Sequence, residues 1–509
     1  MKRILSAIFF PVCTIVSAQS NPVGIFSNHA DIGNPKIKGA AVYNLNDQSY
    51  RLKAAGYNIW FNRDEFHYAY RKLKGDFILT ADMQMTGEGK DPHRKIGWMI
   101  RASEQDDAAH VSATVHGDGL TALQWRRLRG AYMRDPEDEI RYIKKSPRIV
   151  QLERVAKTYY MRVANQGEPL QLVGSYTSND MPDEVLAGLF LCSHNADVQE
   201  EALAWNVRIE STVPDNYNGY RDPALSSRLE LLDVFSGKRK IIYEKANRFE
   251  APNWMPDGKK ILYNDGGLLY TIPTEGGQPE KLNTGFANRN NNDHVISFDG
   301  KMVAISHHRD GLPGGGSTIY YLPITGGDPK LVTDSTPSYL HGWNPNNKEV
   351  VYVAQRLSKS PAYNLYKKNI NGGPEVQLSF NTKSHVDGPE FSPDGKYIYY
   401  NASETGTMQL WRMKPDGSSK EQITFDEYNN WFPHVSPDGK WIAFMSFVSP
   451  VAPDDHPLYK KVMLRLMPVA GGAPKVIAYL FGGQGTINTP SWSPDSKRIA
   501  FVSNSKSLD

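Results

Sequence analysis

The sequence of 509 residues has little cysteine, no long apolar run beyond its N-terminus and almost no net charge. Its two cysteines, Cys13 and Cys192, leave little scope for disulfide bonds, so the fold must depend on its hydrophobic core. The 58 basic and 55 acidic side chains leave a net charge of +3, which gives no reason to expect a nucleic-acid partner. Without a run of roughly 20 apolar residues, we expect no transmembrane segment.

The first 18 residues have the features of a secretory signal peptide. Lys2 and Arg3 precede an apolar run over residues 4–16, and the small residues Ser17 and Ala18 suit a cleavage site. We therefore predict a cleaved signal peptide over residues 1–18 and a periplasmic or extracellular location. After cleavage only Cys192 remains, and its apolar neighbours predict a buried position.

The C-terminal half contains a repeated turn. In Pro-Asp-Gly, proline fixes one φ angle, aspartate bonds the nearby backbone and glycine accepts a positive φ, so the tripeptide favours a tight turn between two strands. The aspartate or asparagine recurs about every 42 to 57 residues, close to the about 40–45 residues of a four-stranded propeller blade. The copies are WMPDG at 254–258, SFDG at 297–300, WNPNN at 343–347, FSPDG at 391–395, VSPDG at 435–439 and WSPDS at 492–496.

Six copies predict six blades. After Asp495 the chain has room for only one more strand, whereas a strand pair at about 229–243 precedes the first copy. Those two strands can complete the last blade, so we predict a six-bladed β-propeller over residues 227–509 that is closed by strands from both ends of the domain. Closure removes the exposed edges that an open array would leave.

The repeat FSPDGKYIY at 391–399 and its copies resemble the WD40-like PD40 repeat of the TolB-like propeller proteins. The resemblance covers roughly residues 227–509. It implies a β-propeller but no single function, because such repeats occur in binding proteins, peptidases and lyases. TolB itself carries a small α/β domain before its propeller, which this sequence lacks.

The N-terminal half shows alternating strands without a repeat, for example at 76–83, 97–101 and 159–163. This pattern predicts a β-sandwich. The strings GWMIR at 97–101 and WNVRI at 205–209 resemble the concanavalin-like jelly rolls of secreted carbohydrate-active proteins. The predicted organisation is therefore all-β, with a jelly-roll domain over 19–211, a linker over 212–226 and the propeller.

The two faces of the propeller differ in sequence. If the strands of a blade are named A to D, short A–B and C–D turns form one face, and longer, chemically richer D–A and B–C connections form the other, where we expect function. Five residues before each turn the usual proline is replaced by His294 and His341, and His385 follows in the next D–A connection. Three imidazoles from consecutive blades can converge on Mn, Fe or Zn. Alternatively, each of them bonds a backbone carbonyl at the start of a blade.

Further candidates lie in the same connections. Imidazoles in a B–C loop, an indole able to stack on a sugar ring and a glycine-rich segment at 481–488 all suggest ligand contacts. The predicted ligand-binding residues are His307, His308, Trp431, His434, Gln484 and Asn488.

Two functions remain open from the sequence. The first is an exported protein that binds a glycan or an envelope protein through the histidine-rich face. The alternative is a metal-dependent polysaccharide lyase or other glycan-modifying enzyme on the same face, since the histidine placement is similar to that of the oligogalacturonate lyases, whose propellers bind metal through histidines. The absence of a Gly-x-Ser-x-Gly motif gives no support to a serine hydrolase.

Overall fold

The computed structural model describes residues 22–144, 146–358, 360–448 and 450–508. The predicted signal peptide lies outside these ranges. The described residues are mostly strands joined by turns, with a short 3-10 turn at Gly314–Gly316. Among them, no helix has the length and apolar character needed to cross a bilayer. The prediction of an all-β fold is confirmed.

Two antiparallel sheets form the N-terminal domain. Their strands, in chain order, are β1 (Asn28–Ile32), β2 (Ala40–Asn44), β3 (Ser49–Gly56), β4 (Phe66–Leu73), β5 (Phe77–Met85), β6 (Lys95–Arg101), β7 (His110–His116), β8 (Thr121–Arg126), β9 (Glu139–Arg141), β10 (Ile149–Val155), β11 (Thr158–Ala164), β12 (Gln171–Thr177), β13 (Val185–Cys192) and β14 (Asn195–Ser211).

The two sheets share one core. One sheet has the order β1-β4-β13-β6-β7-β8-β9 and the other β12-β11-β10-β5-β14-β3-β2. Trp98 of the first sheet is buried, and its indole N–H donates to the carbonyl of Val150 in the second at 3.1 Å. Cys192, at the end of β13, is buried as predicted. The jelly-roll type of this domain stays a prediction.

The propeller follows a connecting segment between Ser211 and Ser226. Its strands are β15 (Ser226–Asp233), β16 (Arg239–Lys245), β17 (Glu250–Trp254), β18 (Lys260–Asp265), β19 (Leu268–Pro273), β20 (Glu280–Lys281), β21 (Asn290–Ile296), β22 (Met302–His308), β23 (Ser317–Pro323), β24 (Lys330–Leu331), β25 (Ser338–Trp343), β26 (Glu349–Gln355), β27 (Tyr363–Asn369), β28 (Val376–Gln377), β29 (Val386–Phe391), β30 (Ile398–Ala402), β31 (Gln409–Met413), β32 (Glu421–Gln422), β33 (Asn429–Val435), β34 (Trp441–Phe447), β35 (Lys460–Pro468), β36 (Lys475–Gly482) and β37 (Arg498–Ser505).

The six-bladed prediction is confirmed. Strands β17 to β36 form five consecutive four-stranded sheets, and the sixth has the order β16-β15-β37. An isolated bridge between Trp492 and Ile499 adds its innermost strand. The first and last strands of the propeller thus pair in one blade, antiparallel from Ser226 opposite Ser505 to Asp233 opposite Arg498.

The N-terminal domain packs against this closing blade and its neighbour. Short β-bridges join Gly167 to Val476 and Ser211 to Lys506. The side chain of Gln48 both donates to and accepts from the backbone of Ile241, at 2.9 Å in each case. The two domains are therefore joined by backbone hydrogen bonds as well as by side chains.

A buried carboxylate, Glu230, lies at this junction. It binds Arg208 of the N-terminal domain at 2.7 Å and Arg239 of the closing blade at 2.8 Å, and Ser503 of the last strand donates to it at 2.6 Å. Burial alone would raise the pKa of the Glu230 carboxyl, but the two guanidinium groups reverse this effect and hold the pKa well below its ordinary value. Glu230 thus connects the two domains and also joins the first strand of the propeller to the last.

We predict that Glu230→Gln lowers the free energy of unfolding by about 3–5 kcal/mol, because it leaves two buried guanidinium groups without their counter-charge. Urea denaturation of the full chain measures the loss. Glu244→Gln, which removes the partner of Arg228 at a half-exposed position, is the matched control and should cost about 0–1 kcal/mol. Equal losses in the two variants would contradict this role of Glu230.

Candidate functional site

A cavity of about 910 Å³ opens on the propeller face that carries the D–A and B–C connections. This volume lies in the range of small-molecule sites. Its wall is rich in amides, carboxylates, imidazoles and aromatic rings. The polar and aromatic residues that line it are Tyr220, Asp222, Asn247, Arg248, Glu250, Asn264, Asp265, Asn290, Asn291, Asn292, Asp293, His308, Tyr339, His341, Tyr363, His385, Asp387, Trp431, Asp454, His456, Gln484 and Asn488.

β-Bulges in the innermost strands decide which side chains reach the cavity. In β25 the register shifts between Leu340 and Gly342, so His341 is the extra residue and lines the cavity. In β21 the shift lies between Asn290 and His294. A bulge redirects the side chains that it leaves unpaired. Residues 291–293 therefore line the cavity in this blade, while His294 is paired opposite Ile305 in the ladder.

The three predicted metal ligands are not equivalent in the structure. His341 and His385 line the cavity, but His294 is 0% exposed and does not. Burial lowers the pKa of His294 to about 4. Among the described residues, the three histidines do not form a group of ligand atoms within 4.8 Å of one another. Sequence alignment placed His294 and His341 at equivalent positions, but the different bulges separate them.

The other predicted ligand contacts divide into two groups. His308, Trp431, Gln484 and Asn488 line the cavity, whereas His307 and His434 do not. His434 is buried between blades, where its ring nitrogens contact Glu390 at 2.6 Å and the carbonyl of Ile487 at 2.5 Å.

His307 and Trp431 pack against neighbouring rings. His307 packs against Phe286 and Tyr320, and its Nδ1 accepts from the backbone N–H of Arg289 at 3.3 Å. Trp431 is only 2% exposed, and its ring lies edge-on to that of His456 with 4.5 Å between the ring centroids. Little of the indole face is therefore available for stacking.

The glycine-rich segment keeps its polar side chains at the cavity wall. The amide of Asn488 donates to Gln484 at 3.0 Å and accepts from the backbone of Gly485 at 2.6 Å. The half-buried imidazole of His385 accepts from the backbone of Tyr363 at 3.3 Å, and His308 contacts the carbonyl of Gly315 at 2.8 Å. These contacts hold the polar groups in place beside the cavity.

An aspartate that sequence reasoning missed lies between two histidines of the cavity. One oxygen of Asp387 is 2.9 Å from Nε2 of His341, and the other is 3.5 Å from Nε2 of His456. His456 belongs to the long B–C connection of the fifth blade, and the repeat alignment gave no signal that it would reach a residue of the fourth. The packing of three consecutive blades brings these side chains together.

The charges in this group are coupled. Burial disfavours the charged forms, but the ion pairs outweigh it: the pKa of Asp387 is held well below its ordinary value, and Asp387 raises the pKa of both His341 and His456. Nearby, burial raises the pKa of Asp293 to about 6, against the opposing effect of His341. The cavity thus holds two carboxyls of very different acidity beside two histidines that favour the protonated form.

The connecting segment between the domains also contributes to the cavity. Tyr220 and Asp222 line it, and Arg248 lies over the Tyr220 ring at 5.8 Å. Tyr220 is 68% exposed. The segment predicted only as a linker therefore forms part of the cavity wall, and its composition gave no sign of this role.

We predict that Asp387→Asn destabilises the protein in a pH-dependent way. The contribution of Asp387, whose folded pKa is depressed, is present above about pH 3.8, and that of the histidines, whose folded pKa is raised, is complete below about pH 6.5 and is lost at higher pH. The difference in urea midpoint between wild type and variant should therefore be larger at about pH 5.5 than at about pH 8.5.

The matched control is Asp257→Asn, the same change in an exposed turn where asparagine can accept the same hydrogen bond from the backbone of Lys259. It should show no such pH dependence. A difference for Asp387→Asn that is constant or grows toward high pH would refute the coupling of this aspartate to the two histidines.

Comparison with known proteins gives three related findings. Residues 343–450 match the PD40 family, the TolB beta propeller domain. An uncharacterized protein of Agrobacterium fabrum is 44% identical over 280 residues, which make up 55% of this chain and 92% of that protein. A solved TolB-like protein from Agrobacterium tumefaciens is 43% identical, with a TM-score of 0.52 over 55% of this chain and 99% of its own.

A more distant relative is the Tol-Pal system protein TolB of Francisella tularensis, which is 25% identical over 219 residues, or 41% of this chain. The chain spans about half of that protein, 48% of its length. The Agrobacterium relatives, in contrast, are matched over nearly their whole length. The protein therefore belongs to the family of TolB-like β-propeller proteins.

Proposed function

We propose that this protein is an exported binding protein that takes a carbohydrate into the propeller cavity. The observation that carries the proposal is a cavity of about 910 Å³ walled by amides, carboxylates and tyrosines. Amide groups can donate to and accept from the hydroxyls of a sugar, carboxylates accept from them, and tyrosine rings offer flat apolar faces. Tyr339 and Tyr363 stand next to each other in this wall, with ring centroids 6.2 Å apart.

The charge of the wall favours a neutral or amino sugar. Six carboxyl groups line the cavity, at positions 222, 250, 265, 293, 387 and 454, against three groups that carry or favour positive charge, Arg248, His341 and His456. An acidic oligosaccharide would meet mostly like charge, which opposes binding. This charge also weighs against the lyase alternative for acidic polysaccharides, which in addition requires His294 at the cavity.

A protein of the cell envelope is a second candidate ligand, because apolar side chains lie exposed on the same face. Phe286, Phe380 and Phe425 belong to D–A connections, and Leu357 and Val448 to B–C connections; all five are at least half exposed. Where such groups form a contiguous patch, they mark a protein-binding surface. The similarity to a Tol-Pal system protein points in the same direction.

Export is supported by the signal-like residues 1–18. A protein in the periplasm or outside the cell would meet both carbohydrates and envelope proteins. The location of the protein therefore does not distinguish the two candidate ligands, and the choice between them rests on the residues of the cavity.

A glycan array probed with the full chain tests the carbohydrate proposal. We expect neutral or amino oligosaccharides to bind, and uronic acids to bind poorly. In calorimetry with such a sugar, Tyr363→Ala should weaken binding about tenfold, the loss of one stacking contact of about 1.4 kcal/mol. Tyr270→Ala, which removes a half-buried tyrosine of the first blade that does not line the cavity, should leave affinity unchanged.

Binding that is equal in wild type and Tyr363→Ala would place the sugar elsewhere and reject the cavity as its site. If no glycan binds, and an envelope protein is captured by wild type and by Tyr363→Ala but not by Phe380→Ser/Phe425→Ser, the second candidate replaces the first.

A further inference from the structure

A second group of chemically active side chains lies in the N-terminal domain. His93 precedes β6, His116 ends β7 and Asp118 follows in the turn to β8. Their ligand atoms, imidazole nitrogens and a carboxylate oxygen, all lie within 4.8 Å of one another. None of the three lines the propeller cavity.

Backbone hydrogen bonds join the two segments that carry this group. The N–H of Gly117 donates to the carbonyl of Arg94 at 2.8 Å, and that of Asp118 donates to the carbonyl of Pro92 at 2.9 Å. The two segments approach so closely that a Cβ at position 117 would lie 2.8 Å from Cγ of Arg94, which explains the glycine. The segments that carry the three side chains are therefore fixed relative to each other without any ligand.

His116 lacks the partners that a buried imidazole needs. It is 6% exposed, and neither ring nitrogen has a hydrogen-bond partner among the described residues. An unsatisfied buried polar group costs about 1–3 kcal/mol. A ligand that accepts the lone pair of an imidazole nitrogen would remove this cost.

Two further residues, Asp91 and His194, lie next to His93. Nδ1 of His194 lies 3.2 Å from a carboxylate oxygen of Asp91, and the same oxygen accepts from the backbone N–H of His93 at 2.8 Å. The His194 ring is 5.5 Å from that of His93 between centroids.

We propose that His93, His116 and Asp118 form a binding site for a divalent transition-metal ion, with zinc as the best match. Two imidazoles and one carboxylate are a donor set that zinc accepts, and three protein ligands leave a fourth position for water or substrate. His93 and Asp118 are exposed, so an ion can reach the site from solvent. Metal binding in this domain is separate from the carbohydrate site proposed for the propeller.

Zinc binding to the full chain, freed of metal by dialysis against a chelator, tests the proposal. We expect close to one zinc per chain in equilibrium dialysis, and a rise in Tm with zinc. His93→Ala/Asp118→Asn should bind zinc about 100-fold more weakly or worse, since even the loss of residues around metal ligands costs about 10–100-fold. These two positions are exposed, so the double variant should keep the wild-type Tm without metal.

The visible spectrum of bound cobalt gives a second readout, which a cobalt ion held loosely at the surface would not show. Bound in place of zinc at a site with fewer than six ligands, it should produce a visible absorption band that His93→Ala/Asp118→Asn abolishes. Asp197→Asn, which removes an exposed carboxylate of the same domain, is the matched control and should retain both the band and the stoichiometry.

Two results would overturn the proposal. One is equal zinc binding by wild type and His93→Ala/Asp118→Asn, or no binding by either. The other is stoichiometric zinc that is lost in His385→Ala but retained in His93→Ala/Asp118→Asn, which would place the metal in the propeller cavity instead.

Discussion

The pairing of the first propeller strand with the last is the interaction on which the rest of this structure depends. A row of blades that is not closed has a first and a last strand, and each of these exposes an edge of unpaired backbone groups. Here β15 lies between β16 and β37, so residues near 230 and near 501 share one sheet. The cavity exists because this closure brings connections from all around the ring to one mouth.

The same blade connects the propeller to the N-terminal domain. Glu230 lies on β15, and its partners come from β14, β16 and β37, so a single carboxylate joins the end of the first domain to both ends of the second. Removing one partner from a buried ion network of this kind is costly, because the charge that remains has no counter-charge. It fixes the direction in which the chain leaves the first domain, and the connecting segment then reaches the cavity through Tyr220 and Asp222.

Bulges in the innermost strands, rather than regular strand pairing, determine which side chains face the cavity. Regular pairing at His294 directs that side chain into the blade, whereas a bulge at His341 directs its equivalent into the cavity. The long connection of the fifth blade then adds His456, which shares Asp387 with His341. The result is a polar, mostly acidic wall in which the ionisation of each group depends on its neighbours.

The number of blades and the closure of the propeller could be predicted from the sequence, because Pro-Asp-Gly turns recur about every 42 to 57 residues and turn geometry is local. The same alignment of repeats predicted that His308, His341, His385, Gln484 and Asn488 lie on one face, and in the structure these residues line the cavity. The burial of His294 and His434, the position of Asp387 between two histidines and the contribution of the connecting segment to the cavity are visible only in the folded chain. These features depend on the positions of bulges and on contacts between residues far apart in the sequence, which no local pattern of residues records.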